Sequence, residues 1–299
     1  MSAPKTRRKQ FEARAGAAAF AVLERRFTRK DPVQAEEAGA RIGRLIYAVS
    51  KKHRAIAARN LALAMPELSE EARLRITKGV FEHFGRVAGD FLRSTVRTDE
   101  EALASMEVIG RENGDEALAL GAGILAVTAH FGNWERLAHW FSSTGGKITV
   151  VARDANDQGM NQQVQRIRAK AGIEVLSRGR STRVLVNKLK NKEILGLLPD
   201  QNSEESYLPF FGKPCGTVLG PAKLHHLTGA PLLPAYCPRV GPGKYLLVIG
   251  KMINPGKTES AEEIMTQVNA SIEGIIREYP DQWLWIHDRW KSARHKGLL

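Results

Sequence analysis

The stretch Ile124-Leu-Ala-Val-Thr-Ala-His-Phe-Gly-Asn-Trp-Glu135 decides the fold and indicates the chemistry of this chain. Its first four residues are apolar, which predicts a short buried strand. A histidine, a glycine and an asparagine follow, and a helix is predicted near 132–142. In an open α/β sheet, reactive groups gather beyond the carboxyl ends of such strands, where helix N-termini point their N–H groups into the crevice.

The same alternation continues from residue 107 onward. Short apolar runs alternate with candidate helices, which is typical of a sheet that helices cover on both faces. We therefore predict an α/β fold with a central, mostly parallel sheet flanked by helices over residues 106–299. The predicted strands are Ile124–Val127, Ile148–Val151, Ile173–Leu176, Ile194–Leu198, Leu232–Tyr236 and Tyr245–Ile249. The predicted helices lie near 132–142, 157–171, 181–191, 219–228 and 260–279.

Residues 31–105 are predicted to be helical. Ser69 is a predicted N-cap, and the helix after it places an apolar residue every three or four positions over 76–91, which predicts a face that packs in the core. We expect a single domain over 31–299, in which this helical region leads into the α/β part. The apolar residues of its first part are Ile42, Leu45, Ile46, Val49, Ile56, Leu61 and Leu63.

The composition limits the class of protein. Of the 299 residues, 43% are apolar and 26% charged, as in an ordinary folded chain. Only Cys215 and Cys237 are cysteines, which excludes a disulfide scaffold and favours a reducing compartment, and we predict a free thiol at Cys215. The most apolar run, Ala15–Leu23, is shorter than the roughly 18 residues that cross a bilayer and lacks the features of a signal peptide. We therefore expect a chain that stays in the cytoplasm.

The charge is strongly positive, with 45 Lys and Arg against 32 Asp and Glu. Residues 1–30 alone carry nine basic and two acidic side chains, which suits a polyanion such as nucleic acid or an anionic membrane leaflet. Phe11, Ala15, Ala18 and Val22 repeat at helical spacing, so this arm is predicted to form an amphipathic helix on a membrane or, alternatively, a solvated tail before a packed helix. No nucleic-acid-binding motif accompanies the charge, and we expect no such partner.

His130 and Glu135 are the first candidates for catalysis. A neutral imidazole beside a carboxylate forms a general base, because the carboxylate fixes the tautomer and stabilises the imidazolium. The alternative is a buried, hydrogen-bonded histidine and a glutamate favoured by a helix N-terminus. A metal site with His139 is not predicted, because the His-Glu-x-x-His spacing is missing. His225 and His226 are predicted to be structural.

The His-Phe-Gly-Asn-Trp-Glu segment resembles the His-x4-acid motif of the lipid A biosynthesis (lauroyl/myristoyl) acyltransferase family, within the glycerolipid acyltransferase superfamily. Further blocks follow in the order of that family and extend the resemblance over roughly residues 40–295. Several ordered blocks are far more specific than one short motif. They contain Arg153, Arg166-Ile-Arg168, Leu197-Leu-Pro-Asp200-Gln201, the segment 209–222 and Gln282-Trp-Leu-Trp-Ile-His287.

The resemblance implies the transfer of a fatty acyl chain from a thioester of acyl carrier protein or coenzyme A to a hydroxyl of a lipid acceptor, a lipid A precursor. It implies no metal or redox cofactor. His130 is the implied general base, and either Glu135 or Asp200 orients its imidazole; the sequence leaves this choice open. Arg166 falls where the family places a residue that stabilises the tetrahedral oxyanion, a role worth several kcal/mol in a dry site.

Four more residues of the matched blocks are assigned to substrate binding, and for the arginines among them a surface ion pair is the default without the resemblance. A basic arm replaces the hydrophobic anchor that usually begins such enzymes, so we expect peripheral attachment to anionic lipids on the cytoplasmic face of the inner membrane. Relatives acylate other lipids, including mannosylated phosphatidylinositols, and a non-catalytic lipid-binding protein is the alternative from another class. The four residues are Asn133, Arg153, Arg168 and Gln201.

Overall fold

The structure is a computed structural model that describes residues 16, 18–152, 158–177, 182–256 and 258–299. Helices dominate its first third, as predicted. A helical segment over 18–27 precedes four numbered helices, and a 3₁₀ turn at Ser94–Val96 separates the last two. These are α1 (Pro32–Val49), α2 (Lys51–Ala64), α3 (Glu70–Arg93) and α4 (Asp99–Ala104).

Strands and helices alternate in the rest of the chain. The strands are β1 (Met106–Ile109), β2 (Ile124–Val127), β3 (Ile148–Ala152), β4 (Ile173–Ser177), β5 (Ile194–Leu197), β6 (Ser206–Phe210), β7 (Lys213–Thr217), β8 (Leu232–Tyr236), β9 (Arg239–Gly241) and β10 (Lys244–Ile249). The helices are α5 (Arg111–Ala119), α6 (Trp134–Ser143), α7 (Gln158–Lys170), α8 (Thr182–Lys190), α9 (Gly220–Thr228), α10 (Ala261–Glu278) and α11 (Lys291–His295), with a 3₁₀ turn at Pro280–Gln282.

The main sheet has the order β1-β10-β8-β2-β5-β3-β4, and β9 pairs with β10. All neighbours from β8 through β2, β5 and β3 to β4 are parallel, as are β1 and β10, whereas β10 runs antiparallel to β8 and β9. The predicted α/β fold with a mostly parallel central sheet is therefore confirmed. A separate hairpin of β6 and β7 was not predicted.

Helix α3 begins and packs as its sequence indicates. The Ser69 hydroxyl accepts a hydrogen bond from the Ala72 amide at 3.2 Å, which confirms the predicted cap. Val80 is buried, and Ile76 and Phe84 pack against the main core. The apolar stripe over 76–91 thus places its first turns in the core.

Helix α1 lies against α3 through glycines. A Cβ atom at Gly39 would lie 2.0 Å from the carbonyl oxygen of Gly85, and one at Gly43 would lie 2.1 Å from that of Phe81. Such an approach leaves no room for any side chain, so only glycine fits these two positions. Helix α1 therefore contacts α3 with its smallest residues.

The end of the predicted arm packs on the domain. Phe20 and Phe27 are buried, and the Lys30 carbonyl accepts a hydrogen bond from the Arg93 guanidinium at 2.8 Å. Val22 and Leu23 are exposed. Residues 1–15, which include most of the basic arm, lie outside the described part of the chain. No helix among the described residues is long and apolar enough to cross a bilayer.

Both cysteines are free and buried, which confirms the free thiol predicted at Cys215. Burial raises the pKa of Cys215 to about 11 and that of Cys237 to about 12. Their thiols therefore stay protonated at neutral pH, which makes them poor nucleophiles.

Candidate active site

The register of the parallel sheet brings His130 and Asp200 together. Strands β2 and β5 are adjacent, and Val127 pairs with Leu197 at their carboxyl ends. His130 and Asp200 each follow three residues after these paired positions. The three-residue segments that end at His130 and Asp200 are therefore two tails of equal length that leave the same edge of the sheet. The side chains of these two residues meet although 70 residues separate them in sequence.

The Asp200 carboxylate holds His130 at two points. One carboxylate oxygen lies 2.8 Å from the imidazole Nδ1, and the other accepts the backbone N–H of His130 at 2.8 Å. The Trp283 indole donates a third hydrogen bond to this carboxylate at 3.0 Å. Of the two acids that the sequence offered, Asp200 is the one that orients the imidazole.

The pair is electrostatically matched. Burial raises the pKa of Asp200, but the charge of His130 and the three hydrogen bonds outweigh that effect and lower this pKa to about 2. Burial lowers the pKa of His130, but the Asp200 charge and hydrogen bond outweigh it, so the net pKa is above the ordinary value. An ionised Asp200 accepts a hydrogen bond from Nδ1–H of His130. The neutral imidazole therefore has its lone pair on Nε2.

The imidazole borders a cavity of about 700 Å³ between the sheet and its covering helices. The His130 side chain is 23% exposed, and among the described residues Nε2 has no hydrogen-bond partner. Aliphatic and aromatic side chains line most of the cavity, and polar side chains line the rest. The apolar lining includes Leu137, Phe141, Ile148, Val150, Val164 and Leu185.

Glu135 contacts Arg168 rather than the imidazole. Both carboxylate oxygens accept hydrogen bonds from the guanidinium, one of them from Nε at 3.0 Å. The two side chains come from the first turn of α6 and from α7, they are largely buried, and both border the cavity. Glu135 therefore adds negative charge near His130 without holding it.

Comparison with known proteins identifies the family of this chain. The profile described as bacterial lipid A biosynthesis acyltransferase matches residues 30–292. The chain belongs to this family. It is accordingly an acyltransferase, and the family seen in the ordered motifs of the sequence is confirmed.

Named relatives of this acyltransferase fall into two groups. It is 28% identical to the lipid A biosynthesis lauroyltransferase of Escherichia coli (strain K12) over 268 residues, which cover 87% of this chain and 86% of the relative. It is 27% identical to the lipid A biosynthesis palmitoleoyltransferase of the same strain, with coverages of 85% and 84%. It is 26% identical to the phosphatidylinositol mannoside acyltransferase of Mycobacterium tuberculosis (strain CDC 1551 / Oshkosh), with coverages of 70% and 68%.

The remaining predicted site residues do not all lie at the cavity. Gln201 and Arg168 border the cavity of the acyltransferase, together with His130. Arg166 lies on an exposed face of α7, where its guanidinium pairs with Glu24. Arg153 lies outside the described residues.

Asn133 was predicted to bind substrate, but the structure gives its side chain a different environment. It is fully buried, its amide oxygen caps α6 by accepting the Arg136 amide N–H at 3.0 Å, and its amide nitrogen donates to Asp90 at 2.7 Å. It does not border the cavity. Its conformation in the motif serves helix capping, because asparagine is a preferred N-cap residue.

Asp90 is the centre of a buried cluster that the sequence did not reveal. Its carboxylate pairs with the guanidinium groups of Arg97 and Arg136 and accepts the Asn133 amide. Burial raises the pKa of Asp90, but the two arginines outweigh it and hold that pKa far below the ordinary range. The cluster fastens α3 to the first turn of α6, next to the segment 130–135. No local sequence pattern indicates this cluster, because its members come from separate elements and become neighbours only in the fold.

The loop of the motif is fixed from behind as well. Gly132 has a φ of 55°, and a Cβ atom there would lie 2.1 Å from the Cys237 carbonyl oxygen, so this position requires glycine. His83 lies 3.0 Å through Nε2 from the Gly132 carbonyl oxygen. Burial lowers the pKa of His83 to about 4, and this histidine is therefore a neutral donor that supports the loop.

Proposed function

We propose that this acyltransferase moves a fatty acyl chain from a thioester of acyl carrier protein or coenzyme A to a hydroxyl of a lipid A precursor. The observation that carries the proposal is the His130–Asp200 pair, whose open imidazole nitrogen faces an apolar cavity. The acceptor and the product are lipids, so the enzyme works peripherally at a membrane, on the cytoplasmic face of the inner membrane where acyl thioesters are made.

His130 acts as the general base in this proposal. The acceptor hydroxyl donates a hydrogen bond to Nε2, and its oxygen attacks the thioester carbonyl carbon while Nε2 takes the proton. The tetrahedral intermediate collapses, the carbon–sulfur bond breaks, and the imidazolium returns the proton to the leaving thiolate. Asp200 stabilises the imidazolium between these steps. The thioester supplies the leaving group, so the reaction balances without a metal or a redox cofactor.

The cavity holds the acyl chain. Its aliphatic and aromatic lining favours hydrocarbon over water, at about 25 cal/mol for each Å² of apolar surface that is buried. Polar side chains, His130 among them, also border the cavity, and the thioester and the acceptor hydroxyl must meet at His130. Arg168 and Gln201 border the cavity and are proposed to contact the polar parts of the substrates.

The oxyanion needs a donor near the attacked carbonyl. Arg168 borders the cavity and carries a guanidinium that Glu135 positions. Arg166, two residues away on α7, faces the surface and gains no support from its position for the role that the family implies. We therefore assign the oxyanion to Arg168, and the role of Arg166 stays a prediction that the comparison of the two arginines tests.

The lipid A precursor is favoured over a mannosylated phosphatidylinositol by coverage. The match to the lipid A enzymes of Escherichia coli extends over 85–87% of the chain, against 70% for the mannoside acyltransferase. The glutamate at the acid position of the motif resembles the lipid A branch more than the glycerol-phosphate branch of the superfamily.

One experiment tests donor, acceptor and class together. The purified enzyme is incubated with membrane lipid extract and isotope-labelled acyl–coenzyme A or acyl carrier protein, and the products are identified by mass spectrometry. We expect a labelled lipid A precursor, and none with His130→Ala. A labelled mannoside would replace the acceptor, whereas a folded wild-type protein that labels no lipid with either donor would support the non-catalytic alternative.

A further inference from the structure

Helix α1 exposes a stripe of large aliphatic side chains. Ile42, Leu45, Ile46 and Val49 follow one another at spacings of three, one and three, so they share an arc of about 100° on the helix. Their residues are 41%, 69%, 48% and 80% exposed. We name this surface the α1 stripe. Scattered exposed aliphatics are normal in proteins, but four on one helix face form a contiguous apolar patch.

The packing of α1 explains why these side chains face outward. The helix contacts α3 through Gly39 and Gly43, whose Cα atoms approach the α3 backbone closely. In an ordinary amphipathic helix the large apolar residues form the buried face. Here the buried face is made of glycine and alanine together with Glu36, which pairs with Arg239, and the large aliphatic residues are on a different side of the helix.

Positive charge surrounds the α1 stripe. The segment 38–66 contains six lysines and arginines and not one aspartate or glutamate. Arg41 lies beside the stripe, and Lys51 and Lys52 follow its last residue; all three are exposed. Among the described residues, none of these three lies within 4.0 Å of a carboxylate. The cations are thus available to an external anion.

We propose that the α1 stripe docks on an anionic lipid bilayer, with α1 in the plane of the interface. An apolar helix face with lysine and arginine along its border is the pattern of an interfacial helix: the aliphatic groups enter the boundary of the acyl chains and the cations meet the phosphates. The proposal rests on the proposed function only in that the acceptor lies in a membrane. It moves the principal contact from the arm over 1–30 to a helix of the domain.

A second copy of the chain fits this surface less well. In a two-fold symmetric dimer the same patch meets itself, so Arg41, Lys51 and Lys52 of one copy would approach the same three cations of the other. Like charges that approach each other in an apolar interface are unfavourable. The surface charge therefore favours an anionic partner.

The test is sedimentation of the full chain with vesicles, without acyl donor or acceptor, so that its outcome is independent of catalysis. Leu45→Gln combined with Val49→Gln removes the two most exposed aliphatic side chains of the stripe. Leu118→Gln combined with Leu227→Gln is the matched control, because each of these leucines is 61% exposed and lies outside α1. Vesicles contain phosphatidylcholine with phosphatidylglycerol, or phosphatidylcholine alone.

We expect the wild type and the control pair to bind the phosphatidylglycerol vesicles, and the α1 pair to bind about tenfold more weakly or worse. Binding should weaken in higher salt and with phosphatidylcholine alone, because the cations lose their partners. Two results would overturn the proposal. One is equal binding by the α1 pair and the control pair. The other is a wild type that ignores vesicles but dimerises in solution through a contact that the α1 pair abolishes.

Discussion

Two buried aspartates of this acyltransferase bind different kinds of partner. Asp200 and Asp90 are 3% and 1% exposed, and each accepts several N–H groups. The partner of Asp200 is an imidazole that keeps one nitrogen on the cavity. The partners of Asp90 are two guanidinium groups and an amide, all buried.

The difference lies in what the partner can exchange. An imidazole titrates near neutral pH and can take a proton from a substrate, whereas a guanidinium keeps its protons at any pH that the fold survives. A buried carboxylate therefore raises the pKa of an imidazole at Asp200, whereas at Asp90 it holds helices together. Changes at Asp200 should appear in turnover, and changes at Asp90 should appear in stability.

The largest effect is expected at Asp90. Asp90→Asn keeps the shape of the side chain but removes the charge that faces two buried arginines and leaves, among the described residues, only Glu101, 4.0 Å from Arg97, so the free energy of unfolding should fall by about 3–5 kcal/mol. Denaturant titration of purified variants measures this loss. Asp115→Asn, at an exposed site on α5, is the control and should change stability little. A loss under about 1 kcal/mol at Asp90 would mean that the cluster is not a framework.

The next effect concerns the base. His130→Ala should reduce acyl transfer about a hundredfold or more while the thermal transition stays close to that of the wild type, because the imidazole is at the cavity edge. His295→Ala, at an exposed histidine, is the control. Near-normal turnover by a folded His130→Ala enzyme would remove the general-base mechanism.

Asp200→Asn tests the coupling within the pair. The active form of His130 is neutral, so activity is lost as pH falls through its pKa, and the Asp200 charge holds that pKa above the ordinary value of about 6.5. The variant should be about tenfold slower or worse, and its acid limb in kcat/KM should move to lower pH. Rate profiles from pH 5 to 9 measure both. A slower enzyme with an unmoved limb would contradict the coupling.

The two arginines of α7 give the smallest and sharpest contrast. Arg168→Met should lower kcat about tenfold or more, because a guanidinium at the cavity is lost. Arg166→Met removes only an exposed ion pair with Glu24 and should change kcat less than about twofold. Steady-state kinetics of both variants decide the matter. The reverse order would restore Arg166 to the oxyanion role that the family implies.

Local signals in the sequence predicted much of the fold. Strands β2 and β8 have the predicted bounds, and helices α6 to α10 lie within about two residues of theirs. The short strands β1 and β9 and the hairpin of β6 and β7 were missed, because their apolar alternation is too short to stand out. Within the region predicted to be helical, α1 and α2 are separate helices on either side of Ser50.

Helices α1 and α3 show what periodicity leaves undecided. Both carry apolar residues at helical spacing, yet Val80 of α3 is buried and Val49 of α1 is 80% exposed. The pattern identifies a helix and its apolar face, but only the neighbouring elements decide what that face contacts. The glycines at 39 and 43 reverse the usual orientation of α1, and single-sequence patterns carry no rule for that.

In the site, too, local sequence indicates some features, and only the fold decides the others. His130 was found because strand, motif and helix are contiguous in sequence. The choice of Asp200 over Glu135 as its partner depends on the register of β2 against β5, which no local pattern shows. Asn133 caps α6, a common use of asparagine at the start of a helix, and its predicted contact with substrate stays a prediction.

The equal tails beyond β2 and β5 also limit how the gene can change length. Each strand advances by about 3.3 Å per residue, so one added or deleted residue between Val127 and His130 would carry the imidazole out of hydrogen-bonding range of Asp200. The turn over 144–147, between α6 and β3, has no such restriction, because none of its residues borders the cavity. Insertions and deletions should therefore be tolerated in that turn, while a change in the length of either three-residue tail should abolish the His130–Asp200 contact.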